Sequence, residues 1–263
     1  IDNRIKNENQ SYNQEITLQA DYQTPITTKQ LVEFGGKNIM RKVSSDYKSF
    51  LGIGEDGEFT ESQNAKASNI FNYNQNVTAG YLSYTVSLPK SYSLKAGTRY
   101  EYTVIDANFE NPTETETTIP SYGVMVPSVN LSKRLKNGNT LKVAYNRRIQ
   151  RPSIQFLNPN IQAGNRLNIT IGNPNLDPEF TNNYELAYST FIKGTSLNFS
   201  TFVRNTTGSI QSIRELVVFE GNEVIQTTYD NIGQEDAYGG SVFSNVNIGS
   251  KFSLNGGADF YYA

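Results

Sequence analysis

The sequence predicts an all-β fold, namely a segment of an antiparallel up-and-down transmembrane β-barrel with about ten long strands. Three observations support this prediction. Many stretches alternate between apolar and polar residues with a period of two, which is typical of strands with two unlike faces. Each is close to the length of about 9–11 residues that a tilted membrane-spanning strand needs, whereas strands of soluble sheets average about 5–6. The connections between them are alternately short and long.

Residues 92–104 are the clearest predicted strand. Its even positions form an aromatic and aliphatic face, and its odd positions are small or charged; the even positions are Tyr92, Leu94, Ala96, Thr98, Tyr100, Tyr102 and Val104. The same alternation predicts strands at residues 12–22, 141–149, 184–192, 238–248 and 252–262, and more weakly at 32–40, 71–86, 122–131 and 197–204.

Turn residues separate the predicted strands. Proline, Asn-Gly and other glycine-containing pairs set hairpin geometry, and they predict tight turns at residues 24–28, 89–90, 136–139, 193–195 and 249–251. The long connections fall at residues 41–69, 106–121, 151–182 and 206–236, and residues 64–70 could add a brief helical turn. Short turns on one side and long loops on the other are typical of a membrane barrel, because a soluble sandwich has no reason to lengthen every second loop.

The polar average of the chain, a mean hydropathy of −0.52, is compatible with a barrel. Only the band that faces lipid must be apolar, because the lumen and the outer loops are wet. The 17 tyrosines suit the aromatic girdles at the two membrane interfaces, with Tyr100 and Tyr102 at one strand end and Tyr92 at the other. The alternative is a tyrosine-rich core of an ordinary β-protein.

Composition excludes several function classes. The chain has no cysteine and no histidine, which excludes disulfides, thiolate zinc sites and imidazole-dependent catalysis. A net charge of −2 argues against a nucleic-acid binder. No apolar run reaches the about 18 residues of a transmembrane helix. The chain begins at Ile1 without a signal peptide, which indicates a mature or internal piece of a longer protein.

Two groups of charged residues are candidate sites. Glu110, Glu114 and Glu116 stand in a polar loop with no apolar flank, so we expect a solvated loop rather than a catalytic or calcium site, and we predict no enzyme activity, cofactor or metal. Arg147, Arg148 and Arg151 lie where a strand meets a long loop. They could bind phosphate or carboxylate, of lipopolysaccharide or of an anionic ligand, or they could form a solvated rim paired with Asp177 or Glu179. Strand phase places Arg148 inward and Arg147 toward the headgroups.

One segment has a specific resemblance. Residues 145–153 read Tyr-Asn-Arg-Arg-Ile-Gln-Arg-Pro-Ser, residues 157–159 read Leu-Asn-Pro, and residues 172–188 read Gly-Asn-Pro-Asn-Leu-Asp-Pro-Glu-Phe-Thr-Asn-Asn-Tyr-Glu-Leu-Ala-Tyr. This segment resembles the barrel of TonB-dependent outer-membrane receptors, in the branch described as outer membrane β-barrel family proteins. Residues 126–132 resemble the preceding strand of that family. The resemblance covers most of the chain and is strongest in its central third.

The octapeptide at residues 172–179 also has a direct physical interpretation. Its two prolines fix their own φ angles and bias the residues before them toward extended conformations, and its glycine permits unusual backbone geometry. We therefore expect an architectural rather than a ligand-binding role for Gly172, Asn173, Pro174, Leu176, Pro178 and Glu179.

The resemblance implies a barrel of about 22 strands, filled by a plug that reaches an energising periplasmic partner of the TonB type. Neither plug nor partner segment is recognisable here, so residues 1–263 are expected to form a single, incomplete barrel domain with two unpaired sheet edges. The expected partners are outer-membrane lipid and lipopolysaccharide, the missing plug, the TonB-type partner and a small-molecule or oligomeric nutrient, with no nucleic acid.

Three functions remain open from the sequence. The first is part of an outer-membrane receptor of a Gram-negative bacterium that takes up a siderophore, glycan or similar nutrient. The second is a plug-less porin-like or structural barrel in the same membrane, and the third is a secreted, soluble β-sandwich adhesin. The sequence does not identify the ligand.

Overall fold

A computed structural model describes residues 3–54, 56–61, 69–110, 119–159, 161–165, 167–219, 221–249 and 251–263. These ranges contain ten long and three short strands, whose bounds are β1 Asn3–Thr27, β2 Gln30–Ile53, β3 Thr60–Glu61, β4 Asn69–Leu88, β5 Tyr92–Glu110, β6 Tyr122–Arg134, β7 Thr140–Gln150, β8 Gln162–Asn165, β9 Asn168–Thr170, β10 Glu179–Ile192, β11 Thr195–Phe219, β12 Asn222–Ile248 and β13 Phe252–Tyr262. A helix of four residues, α1, spans Ile154–Leu157, and a 3₁₀ turn spans Pro89–Ser91. In the described ranges, neither helix has the length and apolar character to cross a bilayer.

All thirteen strands belong to one sheet, in which the long strands follow one another in chain order and pair antiparallel. The register is continuous over long distances: β1 and β2 pair from Asn3 opposite Ile53 to Thr27 opposite Gln30. Among the long strands of the described residues, β1 and β13 have one neighbour each, so this arrangement of long strands has two open edges. The predicted fold class, an up-and-down β-barrel segment of about ten long strands, is confirmed.

The predicted strand length is wrong for most strands. β1 and β11 have 25 residues, β12 has 27, and only β7 and β13 have 11. Apolar alternation marks only the part of a strand that faces lipid. Beyond that part both faces are polar, but backbone pairing continues because every donor and acceptor still finds a partner on the neighbouring strand. In β4, for example, Asn72, Asn74 and Asn76 extend the outward-facing row past the apolar residues.

Alternating short turns and long connections are confirmed, but strands extend into all four predicted connections: β2 continues to Ile53, β5 continues to Glu110, and β10 begins at Glu179. The connection predicted at residues 206–236 is not a loop, because β11 and β12 continue through it as a paired hairpin that turns between Phe219 and Asn222. The helical turn predicted at residues 64–70 lies outside the described residues except for Asn69 and Ile70, which begin β4. In the predicted acidic loop, Glu114 and Glu116 also lie outside them, and Glu110 is the last residue of β5.

The two faces of the sheet differ as predicted for residues 92–104. Tyr100 is 51% exposed and Tyr102 is 45% exposed, whereas Glu101 and Thr103 between them are 5% and 0% exposed. We call the face that carries Tyr100 the outer face and the opposite one the inner face. Tyrosines form a row across the outer face, where Tyr145 lies opposite Tyr184 with ring centroids 5.1 Å apart. Tyr238 and Tyr262 pair in the same way at 5.5 Å.

Candidate functional site

The connection between β7 and β10, residues 151–178, folds onto the inner face of the sheet. Leu157 from α1 and Leu176 near the start of β10 are buried in an apolar cluster with Phe71 and Tyr73 of β4, which Ile105 and Ile119 complete. The cluster lies at the end of the sheet where the long connections are, beyond the apolar part of the outer face.

Gly172 is the tightest point of this connection. Its backbone N–H donates to the carbonyl oxygen of Asn158 at 2.8 Å, and the N–H of Asn173 donates to the carbonyl of Phe156 at 2.6 Å. A Cβ atom on Gly172 would lie 2.4 Å from the Asn158 carbonyl oxygen and 2.6 Å from its nitrogen. Only glycine therefore fits here without a shift of the neighbouring backbone.

The rest of the octapeptide is bonded to the β11–β12 hairpin. Asn173 donates from its side chain to the carbonyl of Tyr229 at 3.0 Å. The backbone of Asp177 exchanges two hydrogen bonds with the side chain of Asn231, at 2.8 and 2.9 Å. Glu179 accepts from the backbone N–H of Ile210 at 2.8 Å. Pro178 and Leu176 are buried and Pro174 is half-buried, so the octapeptide fastens the connection to a distant part of the sheet.

The three candidate arginines do not form one group. Arg147 lies on the outer face, where its guanidinium is 4.3 Å from the centroid of the Phe180 ring. Arg148 is exposed on the opposite face of β7. Arg151 pairs with Glu101 of β5 and not with the predicted loop acids Asp177 and Glu179.

Glu101 holds two arginines in the wall of the sheet. Its carboxylate is 2.5 Å from Nε of Arg99 on one oxygen and contacts Nη2 of Arg151 on the other. Nε of Arg151 also donates to Oγ1 of Thr103 at 3.2 Å. Because Glu101 and Thr103 are buried, this group fixes the start of the 151–178 connection to the inner face of β5.

A pocket of about 870 Å³ opens on the inner face beside this group. Apart from Arg147, its lining contains four cationic side chains, Lys37, Arg99, Arg148 and Arg151, and one carboxylate, Glu101. We call these four side chains the inner cations. The Arg99-Tyr-Glu sequence resembles a strand of the family that residues 145–188 also resemble, but sequence patterns did not single out Lys37, Arg99 or Glu101 as part of a site. Strand phase indicates their face, but their proximity depends on the register between strands, which no pattern within one strand contains.

The described residues contain no group of three or more Asp and Glu side chains placed to hold a metal ion. The site that the structure offers is a charged wall beneath a folded connection, and its guanidinium and ammonium groups suit electrostatic binding.

One continuous sheet with a lipid-compatible outer face and a polar, charged inner face defines the class of membrane β-barrels. The outer membrane protein beta-barrel family matches residues 1–263, the whole chain, and the chain belongs to that family. The family resemblance seen in residues 145–188 is thereby confirmed, and the soluble-sandwich alternative does not agree with either finding.

Solved structures show the same fold at low sequence identity. The siderophore receptor PirA from Pseudomonas aeruginosa is 14% identical with a TM-score of 0.51, and the similarity covers 95% of this chain and 56% of that one. The ferric yersiniabactin uptake receptor FyuA from Yersinia pestis is 12% identical with a TM-score of 0.59, covering 98% and 36%. The hemophore receptor HasR of Serratia marcescens is 12% identical with a TM-score of 0.58, covering 99% and 54%.

This chain thus spans roughly a third to a little over half of the length of these receptors (36–56%). No curated protein matches the sequence.

Proposed function

We propose that this chain is part of the transmembrane barrel of an outer-membrane receptor that takes up a nutrient in a Gram-negative bacterium. The observation that carries the proposal is the pairing of a lipid-facing outer surface with a charged inner pocket in one up-and-down sheet. The solved structures of the same fold bear the names of siderophore and hemophore receptors, which supports uptake over a purely structural role.

We infer that the other components of such a receptor system lie outside residues 1–263. A plug would fill the lumen, a TonB-type periplasmic partner would supply energy, and lipopolysaccharide would surround the outer belt. The ligand is a small molecule or an oligomer such as a siderophore or a glycan.

Within this chain we assign the Gly172–Glu179 octapeptide an architectural role. It holds the 151–178 connection folded against the inner face through its bonds to Tyr229, Asn231 and Ile210. Of the arginines, Arg151 anchors the same connection, Arg148 faces the ligand path and Arg147 contacts the interface with lipid headgroups.

Uptake by the parent protein tests this function. A strain that carries the gene and a strain that lacks it are each supplied with radiolabelled ferric siderophores, haem and oligosaccharides. Uptake by both strains is measured with and without a protonophore. A receptor gives gene-dependent uptake of one of these compounds, and the protonophore abolishes that uptake.

The full-length protein in a planar lipid bilayer provides the second measurement. A plugged receptor gives no steady ion current. A stable open conductance without energy input, together with uptake that the protonophore leaves unchanged, would instead establish the porin-like alternative.

A further inference from the structure

The inner pocket has an excess of positive charge. Its four inner cations face one carboxylate, Glu101, which leaves a surplus of three positive charges. Arg99 and Arg151 share that carboxylate. Among the described residues, Lys37 and Arg148 have no acidic side chain within salt-bridge distance, 4.0 Å.

The register places these cations on both sides of Glu101. Lys37 lies opposite Ala79, and Ala79 lies opposite Glu101, so Lys37 is two strands away in one direction. Arg148 is in β7, which only β6 separates from β5. Two strand spacings are about 10 Å, so the cations line about 20 Å of the wall.

Nearby acids offset this surplus only in part. Glu33 is paired with Lys95, and Glu15 is paired with Arg41 at 2.5 Å, so each of these acids has its own cation. Asp21 lies on the inner face of β1 diagonally opposite Lys37, where it accepts a hydrogen bond from Gln19 at 2.8 Å and is not within salt-bridge distance of Lys37. Guanidinium groups bind carboxylate and phosphate oxygens through paired hydrogen bonds, and a cleft lined by one sign of charge concentrates ions of the other sign.

We propose that the inner cations form a binding site for the carboxylate or phosphate groups of an anionic ligand. This inference rests on the proposed function, since it makes the substrate of the barrel an anion rather than a neutral glycan. Arg99 and Arg151 stay bound to Glu101 and fix the shape of the site, while Arg148 and Lys37 supply the free positive charge.

Citrate, a tricarboxylate, is the probe that tests the site. The full-length protein in detergent is titrated calorimetrically at low ionic strength with citrate and with its uncharged trimethyl ester. We expect saturable binding of citrate and none of the ester. Arg148→Gln and Lys37→Gln should each weaken citrate binding by about three- to five-fold, because each removes one exposed charge. The two effects should multiply, because the side chains lie on opposite sides of the pocket.

Lys42→Gln is the matched control. Lys42 lies in the same strand as Lys37 but on the outer face, so the same change of net charge should leave citrate binding unchanged. Equal weakening by Lys42→Gln would show a non-specific charge effect and would overturn the site, as would binding of the ester.

The alternative is that the inner cations contact an acidic surface of another part of the same protein instead of a ligand. In that case citrate does not bind, and Arg148→Gln instead increases protease cleavage of the remaining protein; this outcome overturns the proposal. Failure here is distinguishable from failure of the uptake function. If uptake is abolished by the protonophore but the protein does not bind citrate, the anion site is wrong and the uptake function stands. If the protein binds citrate but forms an open ion channel, the uptake function is wrong and the anion site stands.

Discussion

Two residues on the inner face, Gly172 and Glu101, tolerate little change because of their close contacts. Gly172 has no room for a side chain because the Asn158 backbone lies against it, and Glu101 is the only described carboxylate between two arginines in the pocket. Both act on the connection at residues 151–178, one near its end and one at its start. Changes at these positions should therefore alter this connection more than the sheet.

Gly172→Ala should destabilise the folded connection by about 1–3 kcal/mol, because its methyl group would overlap the Asn158 carbonyl. Limited proteolysis of the detergent-solubilised parent protein should then cut within residues 151–178 at a higher rate. Gly80→Ala is the control, since a Cβ at Gly80 meets nothing within 4 Å. Equal protease resistance of the Gly172 variant and the wild type would contradict the packing described here.

Glu101→Gln should lower the free energy of unfolding by about 3 kcal/mol, because it leaves two guanidinium groups without their shared buried anion. Glu15→Gln removes the partner of Arg41 in an exposed pair and should cost less than about 1 kcal/mol. Urea unfolding in lipid vesicles measures both. A Glu101 variant no less stable than the Glu15 variant would show that the buried pair adds nothing.

At the level of the strands, how well the sequence predicted each strand depended on what lies on its two faces. The phase of β5 was predictable because lipid on one side and a polar lumen on the other select residues with a strict period of two. The outer halves of β11 and β12 were not predicted, because residues 209–230 do not continue the period-two alternation of the apolar belt. The sequence does contain a hairpin signal there, namely the apolar residues 216–219 and 224–225 on either side of Gly221, and the prediction of a long loop overlooked it.

Asn231 joins this hairpin to the octapeptide. Asn231→Ala removes its side-chain hydrogen bonds to the backbone of Asp177 and Gly208, so the local opening of residues 171–179 should become easier by about 1–3 kcal/mol. Hydrogen exchange at the Asp177 amide reports this directly. Asn74→Ala, which removes an exposed amide on the outer face of β4, should leave that exchange rate unchanged. Slow exchange in both variants would mean that the octapeptide is held without Asn231.

In the candidate site, the sequence predicted the faces of two arginines but not the acid that pairs with the third. The arginines at positions 147, 148 and 151 were recognisable as a cationic run at a strand end, and alternation assigned Arg147 and Arg148 to opposite faces. The partner of Arg151 was not recognisable, because Glu101 lies 50 residues away in sequence and meets it only through the curvature and register of several strands. Nearby acids such as Asp177 and Glu179 were the wrong candidates for this reason.

At the scale of the whole molecule, the apolar, lipid-facing part of the outer face should tolerate no added charge. Val242→Lys places an ammonium group in the lipid-facing row of β12 and should destabilise the membrane-inserted protein by about 2–4 kcal/mol. Ser241→Lys, one residue away on the inner face, should have little effect. Unfolding of the full-length protein in lipid vesicles separates the two. If both variants are destabilised equally, the outer face does not contact lipid more than the inner face does.

The connection at residues 151–178 is attached at two places far apart along the sheet. Arg151 and Leu157 hold it to β4 and β5, and Asn173 and Asp177 hold it to β12. It therefore crosses the inner face over the four long strands between these attachments, β6, β7, β10 and β11. Because both attachments are hydrogen-bonded or buried, we expect this connection to restrict how far that arc of strands can flatten or spread.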